Sequence, residues 1–111
     1  MSVAGVIVYR INGDGSLDGR WSHVEFGGGT GVERATGGAP GAIAGGYRVE
    51  IFDPENNPMF RGSLEIQPLG KAYSLTWVGT NLPANGGTSK YVGIGLVEGG
   101  NSLVACFQES V

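Results

Sequence analysis

Phe60-Arg61-Gly62-Ser63-Leu64-Glu65-Ile66-Gln67 alternates strictly, with Phe60, Gly62, Leu64 and Ile66 on one face and Arg61, Ser63, Glu65 and Gln67 on the other. A period of two is that of a half-buried strand, because successive side chains of an extended chain point to opposite sides. Tyr73-Ser74-Leu75-Thr76-Trp77-Val78 repeats the alternation, and Leu69-Gly70-Lys71-Ala72 lies between as a turn. The two runs predict an antiparallel hairpin. Upstream, Gly46-Tyr47-Arg48-Val49-Glu50-Ile51-Phe52 predicts another strand. It ends at Asp53-Pro54-Glu55-Asn56-Asn57-Pro58, nearly all turn-forming residues. Downstream, Lys90 to Val97 and Ser102 to Phe107 flank Glu98-Gly99-Gly100-Asn101, a second hairpin signal.

The amino-terminal part predicts strands over Val3 to Ile11, Gly19 to Phe26 and Thr30 to Thr36. A flexible connection, Gly37 to Gly45, follows, in which Pro40 to Ala44 has room for one helical turn. This makes eight consecutive strands with short links and no helix of any length. The expected fold is all-β: one domain over residues 1–111, an eight-stranded antiparallel up-and-down β-barrel. Closure removes the sheet edges that would otherwise aggregate. A barrel of this size holds side chains or one small ligand. A two-sheet sandwich is the competing arrangement, and two open sheets closing one another across a homodimer, with the first strand exchanged, is a further one.

Composition agrees. Of 111 residues, 22 are glycine, about three times the usual share, without a G-X-Y period. Many punctuate turns, whereas Gly62, Gly93 and Gly95 sit inside predicted strands, where they imply close backbone approach or sharp coiling. The seven Lys and Arg are scattered and the net charge is -3, which argues against nucleic acid. No apolar run approaches the ~20 residues of a membrane-spanning helix. The start lacks the basic region and cleavage site of a secretory signal. The single cysteine, Cys106, excludes an internal disulfide and a multi-thiolate zinc site. Within Leu103-Val104-Ala105-Cys106-Phe107 it reads as a buried, inert thiol. A cytoplasmic protein is expected.

Few motifs carry chemistry. Asn12-Gly13-Asp14-Gly15-Ser16-Leu17-Asp18 has some of the oxygen spacing of a calcium loop. However, Arg10 and Trp21 occupy the positions that need carboxylates, so a hairpin turn explains it better. Asp53, Glu55 and Asn57 alternate similarly but are interrupted by prolines. Gly27-Gly28-Gly29-Thr30-Gly31 and Gly86-Gly87-Thr88-Ser89-Lys90 lack the helix a phosphate loop requires. No metal or cofactor is expected. The sole histidine, His23, falls between Trp21 and Glu25 on one predicted strand face, where it reads as a hydrogen-bonded or surface residue. One histidine without a nucleophile elbow assigns no catalytic set, and nothing joins it to Cys106. The chain is therefore not read as an enzyme.

What remains is aromatic: Trp21, Tyr47, Tyr73, Trp77 and Tyr91 fall on five different strands. Such side chains line ligand cavities, and they also pack small β cores. Gly19-Arg20-Trp21 is moreover the G-x-W unit that calycin barrels, the lipocalins and avidins, carry near their first strand. Gly46-Tyr47-x-Val49, Tyr73-x-Leu75-x-Trp77 and Tyr91-x-Gly93-Ile94-Gly95-Leu96 add a similarity to small bacterial barrel proteins, some labelled fibronectin-binding. The resemblance spans about residues 16–108 and implies a streptavidin-like barrel. A strand precedes G-x-W here, and the avidin biotin-contact pattern is absent, so the ligand is left open.

The reading is a barrel that binds a small, mainly apolar molecule among Trp21, His23, Tyr47, Tyr73, Trp77 and Tyr91, with Arg48 or His23 fixing its orientation. The alternative is a protein-interaction or structural module with a solidly packed barrel, oligomeric. An isomerase using His23 and Glu25 ranks third. A void above roughly 300 Å³ inside the barrel separates the first from the second.

Overall fold

The alternation of the central hairpin runs through the whole molecule. The computed structural model describes residues 4–83 and 86–110. Its strands are β1 (Ala4–Ile11), β2 (Leu17–His23), β3 (Thr30–Thr36), β4 (Gly45–Phe52), β5 (Pro58–Leu69), β6 (Ala72–Asn81), β7 (Thr88–Glu98) and β8 (Ser102–Glu109). Each pairs antiparallel with the next, and β1 pairs with β8, giving a closed up-and-down barrel. The expected fold class holds, and the sandwich does not. The first strand closes the barrel within its own chain, from Ala4 opposite Gln108 to Arg10 opposite Ser102. Val3, placed in that strand by the sequence, lies outside the described residues.

Several boundaries differ from expectation: β2 starts earlier, at Leu17, and β5 to β8 run longer, taking in Pro58, Leu69 and Ala72, which the sequence placed in turns. The second strand ends at His23, and Val24–Phe26 form a 3-10 turn. The His23 Nδ1 accepts from the Glu25 amide at 3.2 Å, capping that turn. A side chain that caps its own backbone favours a turn over further strand. The Pro40 region forms a turn closed by Ala42 N donating to Ala39 O at 3.2 Å, without a helix.

The turns explain the motifs that resembled ion loops. In the first hairpin Asp14 Oδ1 accepts from Ser16 N at 2.9 Å and from Ser16 Oγ at 2.6 Å. Between β4 and β5, Asp53 Oδ1 accepts from the amides of Glu55 and Asn57, both at 2.9 Å. These carboxylates organise backbone turns. Among the described residues no group of acidic, histidine or cysteine side chains could hold a metal.

Inside the barrel, the end formed by the β1–β2, β3–β4, β5–β6 and β7–β8 connections is packed solid. Leu17, Val49, Leu64, Ile66, Leu75 and Leu103 are each at most 1% exposed. Glycines let large residues turn inward. Opposite Gly31 lies Trp21, and a Cβ on Gly31 would meet its indole at 2.5 Å and the Phe52 carbonyl at 2.3 Å. The indole Nε1 donates to that same carbonyl at 3.1 Å. Gly62 and Gly79 face one another across β5 and β6, where a Cβ on Gly62 would sit 2.1 Å from the Val78 oxygen. A strand glycine here marks a point where two backbones touch, as the sequence position of Gly62 implied.

Candidate functional site

The packed end is a floor, and above it the barrel is hollow. A cavity of about 790 Å³ opens toward the other end. Its walls carry Ile7, Trp21, Ile51, Phe60, Trp77 and Phe107, with Met59 and Tyr91 beside them. The aromatic rings brace one another edge to face. Phe60 and Tyr91 have centroids 5.8 Å apart, Tyr91 and Phe107 6.2 Å, and Trp77 and Phe107 5.9 Å. At the rim stand His23, Glu25, Phe26, Glu109 and Ser110.

One acid lies deep in this apolar wall. Glu33 projects inward from β3, between the inward positions Gly31 and Ala35, and is only 3% exposed. Tyr9 donates its hydroxyl proton to Glu33 Oε2. Trp77 Nε1 reaches the same oxygen at 3.3 Å and the Tyr9 hydroxyl at 3.2 Å. Both donors converge on Oε2, so Oε1 accepts no hydrogen bond among the described residues, while the side chain lines the cavity. Burial strips the carboxylate of water and raises its pKa from 4.5 to about 7, although the hydrogen bonds from Tyr9 and Trp77 pull it down. Tyr9 moves well upward for the same cause first, loss of solvent, and then through the neighbouring Glu33 charge. The protein thus holds a carboxyl group at the base of an aromatic cavity, poised to gain or lose a proton near neutrality.

The aromatic and basic residues singled out by sequence divide. Trp21, His23, Trp77 and Tyr91 meet in the cavity lining. Tyr47 points inward but lies in the packed floor, and its hydroxyl donates to the Ile43 carbonyl at 2.7 Å, where burial raises its pKa. Tyr73 is half-buried against the floor and does not line the cavity. Arg48 is exposed on the outer face, because period two turns its neighbours Tyr47 and Val49 inward. It cannot orient anything inside. Glu25 reaches the rim from the 3-10 turn, so Trp21, His23 and Glu25 do not share one strand face. Cys106 is exposed, not buried, since Ala105 and Phe107 take the inward positions of β8.

Sequence reasoning missed Glu33, Phe60 and Phe107 as cavity residues, and Tyr9 as the buried partner of Glu33. For Glu33 the signal was the small-acid-small spacing Gly31-x-Glu33-x-Ala35 on β3, which pairs across from Trp21, Gly19 and Leu17. No family model matches the chain, and neither the curated proteins nor the solved structures compared with it give a match.

Proposed function

We propose that this barrel binds a small, mainly apolar molecule in its interior. The observation that carries the reading is the cavity of about 790 Å³ above a solid floor, walled by aromatic and aliphatic side chains with one buried polar group at its base. That is the ordinary make-up of a small-molecule site: apolar area supplies affinity, and a few polar groups supply orientation. Glu33, with its Tyr9 and Trp77 partners, takes the orienting role that Arg48 cannot. The resemblance to calycin barrels points the same way. The lone thiol of Cys106 supports a cytoplasmic setting, where free thiols persist.

A second reading is favoured by the outer face. Val6 and Val8 on β1, Val104 and Cys106 on β8, and Ile94 and Leu96 on β7 are neighbours by strand register, and all are exposed. A contiguous apolar sheet face of this kind suits a protein partner, including a second copy of the chain. It does not compete with the interior for residues.

Titration with diphenylhexatriene, a neutral apolar fluorophore, tests the first reading, with native mass spectrometry reporting retained ligand and subunit number together. Saturable fluorescence is expected, and Ile51→Trp, which fills the cavity, should abolish it while leaving the thermal midpoint within a few degrees. A wild-type protein that carries no ligand and takes up no fluorophore overturns the binding reading. A dimer mass supports the second.

A further inference from the structure

Apart from His23, the ionisable side chains that line the cavity among the described residues are acids and one tyrosine. Glu33 lies at its base and Glu25 and Glu109 at its rim, while among the described residues no lysine or arginine lines it. The cations are elsewhere: Arg10 and Arg34 pair with Asp18 outside, Arg61 pairs with Glu50, and Arg20, Arg48, Lys71 and Lys90 are exposed. The walls add π faces from Trp21, Phe60, Trp77 and Phe107, which attract cations and do not favour anions. Glu33 keeps one oxygen without a protein donor in this setting, so a ligand that brings an N–H donor completes its hydrogen bonding.

Resting on the binding reading above, we propose that the cavity selects an organic cation, a primary amine on an apolar body, with its ammonium against Glu33 Oε1 and its body among Trp21, Trp77 and Phe107. A carboxylate or phosphate of the same shape meets three acids, and the one basic side chain in the described lining, His23, stands at the rim beside Glu25, so the anion is disfavoured. A neutral alcohol of the same shape keeps the apolar contacts and loses the charge-assisted bond. The amine also competes with a proton. Glu33 accepts an ammonium only when ionised, so amine affinity falls as pH drops through about 7. The other titratable groups lining this space are His23 from β2, Tyr91 from β7, Glu109 from β8 and Glu25 from the 3-10 turn, while Tyr9 from β1 is buried against Glu33 itself, with Tyr47 from β4 acting on Tyr9.

The test is calorimetric titration of the wild-type chain and of Glu33→Gln with naphthylmethylamine, naphthylmethanol and naphthoate. The wild type should bind the amine at least roughly tenfold tighter than the alcohol, with naphthoate weakest. In Glu33→Gln the amine and the alcohol should bind alike, and retained alcohol binding reports an intact barrel. Between pH 6 and pH 5, wild-type amine affinity should fall by about tenfold while alcohol affinity holds. Equal binding of all three compounds, or preference for naphthoate, overturns the proposal and leaves the cavity reading standing. Failure of all three to bind, together with failure of diphenylhexatriene, removes both. An amine pH dependence that survives in Glu33→Gln overturns the role given to Glu33.

Discussion

A carboxyl group that is 3% exposed has lost nearly all its hydration, and in Glu33 the donors Tyr9 and Trp77 restore only part of it. An apolar residue at this position would fill the wall of the barrel without that cost. Such a group points to use of the interior rather than to stability. Its partner Tyr9 is the sharper handle, because Tyr9→Phe keeps the ring over Gly19 and removes only the hydroxyl. Loss of that donor leaves the ionised form less favoured, so the Glu33 pKa should rise further above about 7, read by carboxyl carbon NMR through a pH titration. An unchanged or lowered value would show that Tyr9 does not stabilise the carboxylate. This residue was the hardest to read in advance. In Thr30-Gly31-Val32-Glu33-Arg34-Ala35-Thr36 the apolar Val32 suggests an inward face, and hydropathy alone would turn Glu33 to solvent. The register inverts that. Trp21 needs Gly31 opposite its indole, and once Gly31 points inward so does Glu33.

Among the elements, the hairpin of β5 and β6 shows why the fold was legible. Its faces follow the sequence alternation from Phe60 to Ile66, and its turn is the Gly70-Lys71 step between paired Leu69 and Ala72. Strand order followed from short links, and closure from the need to cover edges. The end of β2 was not legible, because the imidazole of His23 caps the 3-10 turn locally and the pattern Trp21, His23, Glu25 imitates a longer strand. Nor was the division of aromatics between floor and cavity. Tyr47 and Trp77 have the same inward alternation, and only their depth along the barrel separates them. The strand glycines carry an element-scale prediction. Gly62→Ala places a methyl group against the backbone of Val78 and Gly79, which cannot yield without parting β5 from β6. It should lower stability by about 1–3 kcal/mol in urea denaturation. Gly46→Ala on β4 meets only the flexible Glu65 side chain, at 3.1 Å, and should be close to neutral. Similar losses for both would mean that glycine acts here through chain entropy rather than contact.

For the molecule as a whole, a solid floor beneath a hollow, acidic upper half ties stability to pH in an unusual direction. Glu33 is the buried group that sets it. Its pKa rises from 4.5 in the open chain to about 7 in the fold, so between those values the folded state holds a proton that the unfolded state has released. Stability therefore falls as pH rises through this window and levels off above about 7. The full drop is on the order of 3 kcal/mol. Asp14 and Asp18 act oppositely. Their pKa values are lowered, first by the hydrogen bond from Ser16 and by that from Asn12 respectively, so their contribution is present above the unfolded value and lost as acid protonates them in the fold. The two trends place the stability maximum on the acid side of neutrality, near the lower end of the Glu33 window. Thermal denaturation from pH 4 to pH 9 should show the midpoint declining between about 5 and 7 in the wild type, and Glu33→Gln should remove that decline while keeping the loss at low pH. A wild-type midpoint that rises across the same interval would mean that Glu33 is ionised in the fold at all these pH values, and that the Tyr9 and Trp77 hydrogen bonds outweigh its burial.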